Sequence, residues 1–182
     1  LDEGTRLLLD VVEVRPDDAV LDVGCGYGII GLHAAAEAVR GHVTLVDVDH
    51  MACACARATL ERNGLSARGI LGDGLRALSG ERFALVASNP PFHSGHDVSL
   101  DSARAFISGS HDALERGGRL VLVANRFLPY EPLLREAFGG AEELAGTSRY
   151  RVLAAIKAKR QAWRGRGTKR RQRRPLGGSP PP

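Results

Sequence analysis

The sequence predicts a doubly wound α/β domain whose sheet of seven strands is mostly parallel and closes with an antiparallel C-terminal hairpin. Three observations predict it. Short apolar runs rich in valine and leucine alternate with stretches of helical composition, which implies parallel β-α-β units and a sheet covered on both faces. The last two runs are separated only by Thr147-Ser148-Arg149, too short a link for a crossover and suited to a hairpin at the sheet's edge. The most distinctive segments, a glycine turn, Asp47 and Ser88-Asn89-Pro90-Pro91-Phe92, all fall at the carboxyl ends of strands, where such folds bind ligands.

The elements follow in order. Leu1 to Val14, with apolar Leu7, Leu8, Leu9, Val11 and Val12, is expected to form an amphipathic helix ending before Pro16. Ala19 to Val23 is a short strand that runs directly into Gly24-Cys25-Gly26-Tyr27-Gly28, and Ile29 to Val39 is an alanine-rich helix. Val43 to Asp47 is the second strand, followed by a helix over His50 to Asn63 that Gly64 is placed to cap. Arg68 to Leu71 is a weak third strand ending in Gly72-Asp73-Gly74, and Phe83 to Ser88 is the fourth. Leu100 to Glu115 is helical with Gly117-Gly118 as terminator, and Arg119 to Ala124 is the fifth strand. Glu131 to Phe138 is a helix opened by Tyr130 with Pro132 tolerated in its first turn. Ala141 to Gly146 and Tyr150 to Lys157 supply the hairpin.

At 182 residues and 43% hydrophobic content the chain can bury one core and is too short for two ordinary domains. No apolar run approaches the roughly 20 residues of a spanning helix, and no signal peptide is visible. The chain opens on leucine rather than methionine, as expected of a processed product or the back portion of something longer. Its three cysteines, Cys25, Cys53 and Cys55, have no zinc or disulfide spacing, which fits a reducing cytoplasm. The net charge of +4 is uneven: ten Lys or Arg residues and no acid follow residue 156, leaving fifteen bases against all 21 acids before it. A mildly acidic domain over residues 1–158 is therefore expected to carry a basic, Pro- and Gly-rich tail over 159–182, disordered in isolation.

The turn after the first strand does not satisfy the dinucleotide pattern G-x-G-x-x-G, because Ile29 stands at its third glycine position; it satisfies G-x-G-x-G at Gly24, Gly26 and Gly28. Glycines let backbone turn sharply and approach a ligand. Asp47, ending the second strand, can accept both hydroxyls of a ribose. Asp22 places a negative charge where a pyrophosphate would be repelled and an amino group held. The combination resembles the class I S-adenosyl-L-methionine-dependent methyltransferases. That resemblance implies a Rossmann-like methyltransferase fold in which the loop of Gly24, Cys25, Gly26, Tyr27 and Gly28 wraps the cofactor's methionine part. It also implies that Asp47, with Val48 beside it, holds the ribose and that Asp73, with Gly74, meets the adenine amine.

Pro90-Pro91 ends strand pairing and stiffens the exit from the fourth strand. Stiffness alone does not account for Asn89 and Phe92. An asparagine oxygen and the Pro90 carbonyl, held side by side, can accept the two hydrogens of a planar exocyclic amine and turn its lone pair toward a sulfonium methyl. Phe92 offers a stacking face for an unpaired base. An (N/D)-P-P-(F/Y/W) motif is the signature of methyltransferases acting on planar nitrogens, adenine N6, guanine N2 and a glutamine amide among them, so the motif leaves the substrate open. His93, His96 and Asp97 follow on a glycine-containing loop without a recognised zinc spacing, and no metal is expected.

The stretches LDEGTRLLL, LDVGCGYGIIG, SNPPFHSGHDVSLDSARAFI and GGRLVLVANRFLPY together resemble the bacterial ribosomal RNA small-subunit guanine-N2 methyltransferases and their large-subunit relatives over nearly all of residues 1–157. In that family the catalytic domain is usually the second of two methyltransferase-like domains. The resemblance implies ribosomal RNA or the small ribosomal subunit as partner. It assigns Asn89 and Pro90 to the guanine amine, Phe92 to the base, Thr5 to closure over the cofactor's methionine end, and Pro91 and His93 to the neighbourhood of the substrate. Adenine-N6 or protein-glutamine transfer, and a non-catalytic RNA-binding module of the same fold, are the alternative readings. The family body lacks the basic tail. Here Arg164, Arg166, Lys169 and Arg170 are candidates to attract phosphates, with Trp163 available to stack on bases.

Overall fold

The computed structural model describes residues 1–73, 75, 78, 80–90 and 100–158. Seven strands form one sheet in the order β3-β2-β1-β4-β5-β7-β6. These are β1 (Ala19–Val23), β2 (His42–Asp47), β3 (Arg68–Leu71), β4 (Phe83–Ser88), β5 (Leu114–Asn125), β6 (Glu142–Gly146) and β7 (Tyr150–Ile156). The first five run parallel to one another. β7 lies antiparallel between β5 and β6, so the expected hairpin is present, with β7 turned inward from the edge.

Alternate residues of the strands feed two cores. Val20, Val43, Leu45, Leu85, Val121 and Val152 pack with α1 (Glu3–Leu9), α2 (Ile29–Glu37) and α3 (His50–Arg62) on one face. Leu21, Val46, Val86, Leu120, Leu122 and Leu153 pack with α4 (Leu100–Ala113) and α5 (Tyr130–Phe138) on the other. Both faces of the central strands are thus dry, which is why those strands read as unbroken apolar runs.

Several boundaries differ from expectation, and some of the differences have a plain local cause. α1 stops at Leu9 rather than Val14: Val11 and Val12 turn their N–H groups onto Leu8 O, and the β-branched residues that follow are poor helix formers. Among the described residues α4 ends at Ala113, and Leu114 already pairs with Phe83 in β5; the register then shifts before Arg119 pairs with Leu85. Gly117 at φ +85° and Gly118, where a Cβ would lie 2.9 Å from Phe83 O, form this irregularity and are not a helix terminator. β7 stops at Ile156, and Lys157, expected as its last residue, donates its ammonium to His111 O and Leu114 O at 2.6 and 2.8 Å, tying the end of the strand to the end of α4. Gly64 caps α3 as expected: at φ +69° it donates to Glu61 O while Leu65 donates to Leu60 O.

Among the described residues no helix is long and apolar enough to cross a membrane. Residues 159–182 lie outside them.

Candidate active site

The strand order reverses between β1 and β4, and the two segments singled out from the sequence leave the sheet there, side by side. β1 pairs with β4 up to Asp22 and Ala87. One step further, the ladder is replaced by a side chain: buried Ser88 donates its hydroxyl to Val23 O at 2.6 Å. The glycine turn and Asn89 are therefore held at a fixed offset.

The turn itself is built from backbone. Gly24, Gly26 and Gly28 all have positive φ, at 69°, 53° and 84°, a conformation that side chains disfavour, and this accounts for the alternating glycines. Gly24 and Cys25 N–H both donate to Val46 O, pinning the turn to the end of β2. A fourth glycine, Gly31, supplies the close helix-to-strand contact: a Cβ there would lie 2.2 Å from Leu45 Cδ2. The glycine that a dinucleotide fold places at Ile29 is thus present two residues later.

Asp22 is fully buried beneath the turn, and its Oδ2 accepts the Gly31 N–H at 2.9 Å. From there it anchors the start of α2. Burial, opposed by the Gly31 N–H and reinforced by the charge of Asp47, pushes its pKa up to about 7. Asp47 stands as expected at the end of β2. Its Oδ2 accepts the Gly26 N–H and its Oδ1 the Asp49 N–H, each at 2.9 Å, so the carboxylate braces the turn while each oxygen keeps a second lone pair. Asp49 in turn caps α3 through the Met51 N–H.

Tyr27 and Val48 are exposed on the outside of the loops. Cys25 faces the core, and burial drives its thiol pKa far up, which removes it as a nucleophile. Asp73 follows Gly72, whose N–H donates to Asp47 O, and with Val23 borders a cavity of about 860 Å³ that runs along α4 past Phe106 and Gly109. A second hollow, about 750 Å³, lies at the opposite end of β5 around Arg119 and Ala155, away from Asn89.

Asn89 is half-buried and Pro90 buried. The Asn89 amide donates to Asp2 Oδ1 at 3.0 Å and to Thr5 Oγ1 at 2.8 Å. The start of α1 thereby joins the site, bringing Thr5 and Asp2 beside Asn89. Asp2 also caps α1 by accepting the Thr5 N–H at 2.9 Å. Desolvation works to raise its carboxyl pKa, but hydrogen bonds from Thr5 and Asn89 prevail and hold it below the usual range. Sequence reasoning missed Asp2 and Ser88. An acid placed to cap a helix was the available signal for Asp2; nothing local marks Ser88.

Gly74, Pro91, Phe92, His93, Arg164, Arg166, Lys169 and Arg170 lie outside the described residues, as do His96, Asp97 and Trp163. Among the described residues, no three His, Cys, Asp or Glu side chains are grouped to hold a metal ion.

The model of the methyltransferase small domain matches residues 1–154. The chain belongs to that family. Among curated relatives of this methyltransferase domain, the ribosomal RNA small subunit methyltransferase C of Pseudomonas entomophila is 41% identical over 157 residues, which are 86% of this chain and 47% of that protein. Its Klebsiella pneumoniae counterpart is 42% identical over 156 residues, 86% and 45% of the two chains. The chain spans about half the length of these relatives. Among solved structures, the T. thermophilus 16S rRNA N2 G1207 methyltransferase (RsmC), in complex with AdoMet and guanosine, superposes with a TM-score of 0.78 at 38% identity, covering 86% of this chain and 43% of that one. TrmN from Thermus thermophilus follows at a TM-score of 0.64 and 25% identity, covering 84% and 47%.

Proposed function

We propose that residues 1–158 form an S-adenosyl-L-methionine-dependent methyltransferase domain that methylates N2 of a guanine in small-subunit ribosomal RNA, in the cytoplasm. The observation that carries this reading is the placement of Asn89 and Pro90 beside the glycine turn at the β1–β4 switch point, fixed by the Ser88 hydroxyl on Val23 O. The curated relatives, named for methylation of small-subunit ribosomal RNA, support the RNA class, and the T. thermophilus structure, named for N2 of G1207 and holding AdoMet and guanosine, supports the guanine and the cofactor.

The residues present fit that cofactor. A Cβ on Gly26 would meet no atom within 4 Å, so the turn is open on the side where a ligand's own atoms must approach the backbone. Asp47 keeps lone pairs for the two ribose hydroxyls, Gly24 to Gly28 present backbone to the methionine part, and Asp73, which lines the cavity, is the candidate for the adenine amine. The cofactor supplies an electrophilic methyl group on sulfonium sulfur. Asn89 Oδ1 and the Pro90 carbonyl accept the guanine amine's hydrogens and aim its lone pair, and the proton leaves after transfer, so the domain acts by positioning and needs no strong base. Phe92 is assigned to the base, and Pro91 and His93 to the neighbourhood of the substrate. The bases of residues 159–182, Arg164, Arg166, Lys169 and Arg170 among them, hold RNA phosphates.

Incubation with labelled S-adenosyl-L-methionine and, in parallel, naked ribosomal RNA, ribosomal subunits, DNA or release factor tests the reading. Label recovered as N2-methylguanosine from ribosomal RNA is the expected result. Label on N6-methyladenosine or glutamine rejects the substrate, and failure to bind the cofactor in a titration rejects the enzyme.

A further inference from the structure

We propose that Asp2 is a positioning residue for methyl transfer: by taking an amide proton of Asn89 it fixes which way round that amide stands, so that the oxygen and not the NH2 group meets the substrate. The inference rests on the role given to Asn89 above.

A primary amide is nearly symmetric in shape, and turning it over exchanges an acceptor for a pair of donors. For Asn89 the exchange decides the chemistry, because an amine that must give up its hydrogens is met by oxygen and repelled by NH2. Thr5 alone does not decide it, since a hydroxyl donates or accepts with equal ease. Asp2 does. Its ionised carboxylate has only lone pairs to offer, and Oδ1 lies 3.0 Å from the Asn89 nitrogen; a turned amide would put oxygen against oxygen there. Desolvation opposes ionisation of this carboxyl, but the hydrogen bonds from Thr5 and Asn89 outweigh it and hold the pKa below the ordinary carboxylate value. With Nδ2 facing Asp2, Thr5 Oγ1 at 2.8 Å accepts the second amide proton.

The lock is firm because the first turn of α1 is itself fixed from several sides. Gly4 packs so closely that a Cβ would lie 2.8 Å from Val123 Cγ1 and 3.6 Å from the Asn89 nitrogen. Glu3 is tied to Arg149 of the β6–β7 turn at 2.6 Å. Asp2 accepts the Thr5 N–H with the same oxygen that receives Asn89, so helix cap and amide lock share one atom.

That sharing dictates the variants. Asp2→Ser keeps a side-chain oxygen for the Thr5 N–H but is too short to reach Asn89. Asp2→Asn keeps an oxygen able to accept from both. With an unmethylated small-subunit ribosomal RNA transcript, Asp2→Ser should lower kcat by about 10- to 100-fold while the cofactor Kd and the RNA KM change by less than about threefold. Asp2→Asn should recover most of the rate. Full kcat in Asp2→Ser, or an Asp2→Asn as slow as Asp2→Ser, overturns the proposal. A second measurement does not need turnover: the Asn89 side-chain NH2 protons, followed by nitrogen-15 NMR, should exchange slowly in the unaltered protein and rapidly in Asp2→Ser. Equal exchange in the two overturns the lock even if no RNA proves to be a substrate, whereas a missing methyl product with protected protons rejects only the reading of function.

Discussion

Asp22 Oδ2 accepts the Gly31 N–H at 2.9 Å, while Asp22 Oδ1, equally buried, has no hydrogen-bond partner among the described residues. A carboxylate in that position is costly, and burial, together with the nearby charge of Asp47, lifts its pKa from 3.8 to about 7. Between those values the folded protein holds a proton that the unfolded chain releases. The stabilisation from this group is therefore complete below pH 3.8 and lost as pH rises through about 7. The carboxylates with lowered pKa values, Asp2 and Asp17 among them, act in the opposite sense and below that window. Asp22→Asn retains an acceptor for Gly31 and removes the charge. Its melting temperature should vary less than that of the unaltered protein between pH 5 and pH 8 and should exceed it at pH 8. Parallel melting curves across that range would show that Asp22 is not the source.

Gly26 and Gly28 share a positive φ but differ in what lies beyond a Cβ. At Gly28 the added carbon would lie 2.7 Å from Ala56 Cβ, forcing α2 away from α3; at Gly26 it would meet nothing within 4 Å. Gly28→Ala should lose about 2 kcal/mol or more, from strain and overpacking together. Gly26→Ala should lose about 1–2 kcal/mol, from conformation alone, yet bind S-adenosyl-L-methionine at least tenfold more weakly because its methyl occupies the ligand's side of the turn. Denaturant melts and cofactor titration separate the two; a Gly26→Ala protein with unchanged affinity would place the ligand elsewhere.

How much was legible in the sequence follows from what kind of cause shapes each part. The strands, the glycine turn, Asp47 and Asn89 were readable because apolar period, positive-φ glycines and strand-end position are local properties. Ser88 and Asp2 were not, since their partners, Val23 O and the Asn89 amide, are 65 and 87 residues away in the chain. For Asp22, charge and proximity to the turn are visible in sequence, whereas its burial and its bond to the Gly31 N–H are not. The end of α4 was misplaced because Gly117-Gly118 suits a helix stop and a β irregularity equally well, and only pairing with Phe83 decides.

Ser88 and Asn89 are neighbours with separable duties. Ser88→Ala leaves the buried Val23 carbonyl without its donor, a loss of about 1–3 kcal/mol, and frees the exit of β4 from β1, so kcat should fall several-fold together with stability. Asn89→Ala touches no such buried bond. Its melting temperature should stay close to the original while methyl transfer drops by at least about 100-fold and the cofactor still binds. Single-turnover transfer, measured beside thermal melts, tests both. Undiminished transfer by Asn89→Ala would refute the amine-positioning mechanism.

The bases beyond Ala158 bear on a different quantity, the salt dependence of RNA binding. Lys157 is occupied with His111 O and Leu114 O at the end of α4, so truncation after Ala158 keeps these two contacts while removing nine Lys or Arg residues. What remains is mildly acidic and has little to offer phosphate at long range. Each phosphate neutralised contributes about 0.7 to the slope of log K against log salt for single-stranded RNA. The truncated protein should therefore bind ribosomal RNA more weakly at low salt, with a visibly flatter slope, and converge with the full chain as salt rises. Melting temperature and cofactor affinity should stay unchanged. Identical slopes for the two proteins would show that the tail does not hold RNA and that the substrate is gripped by the domain alone.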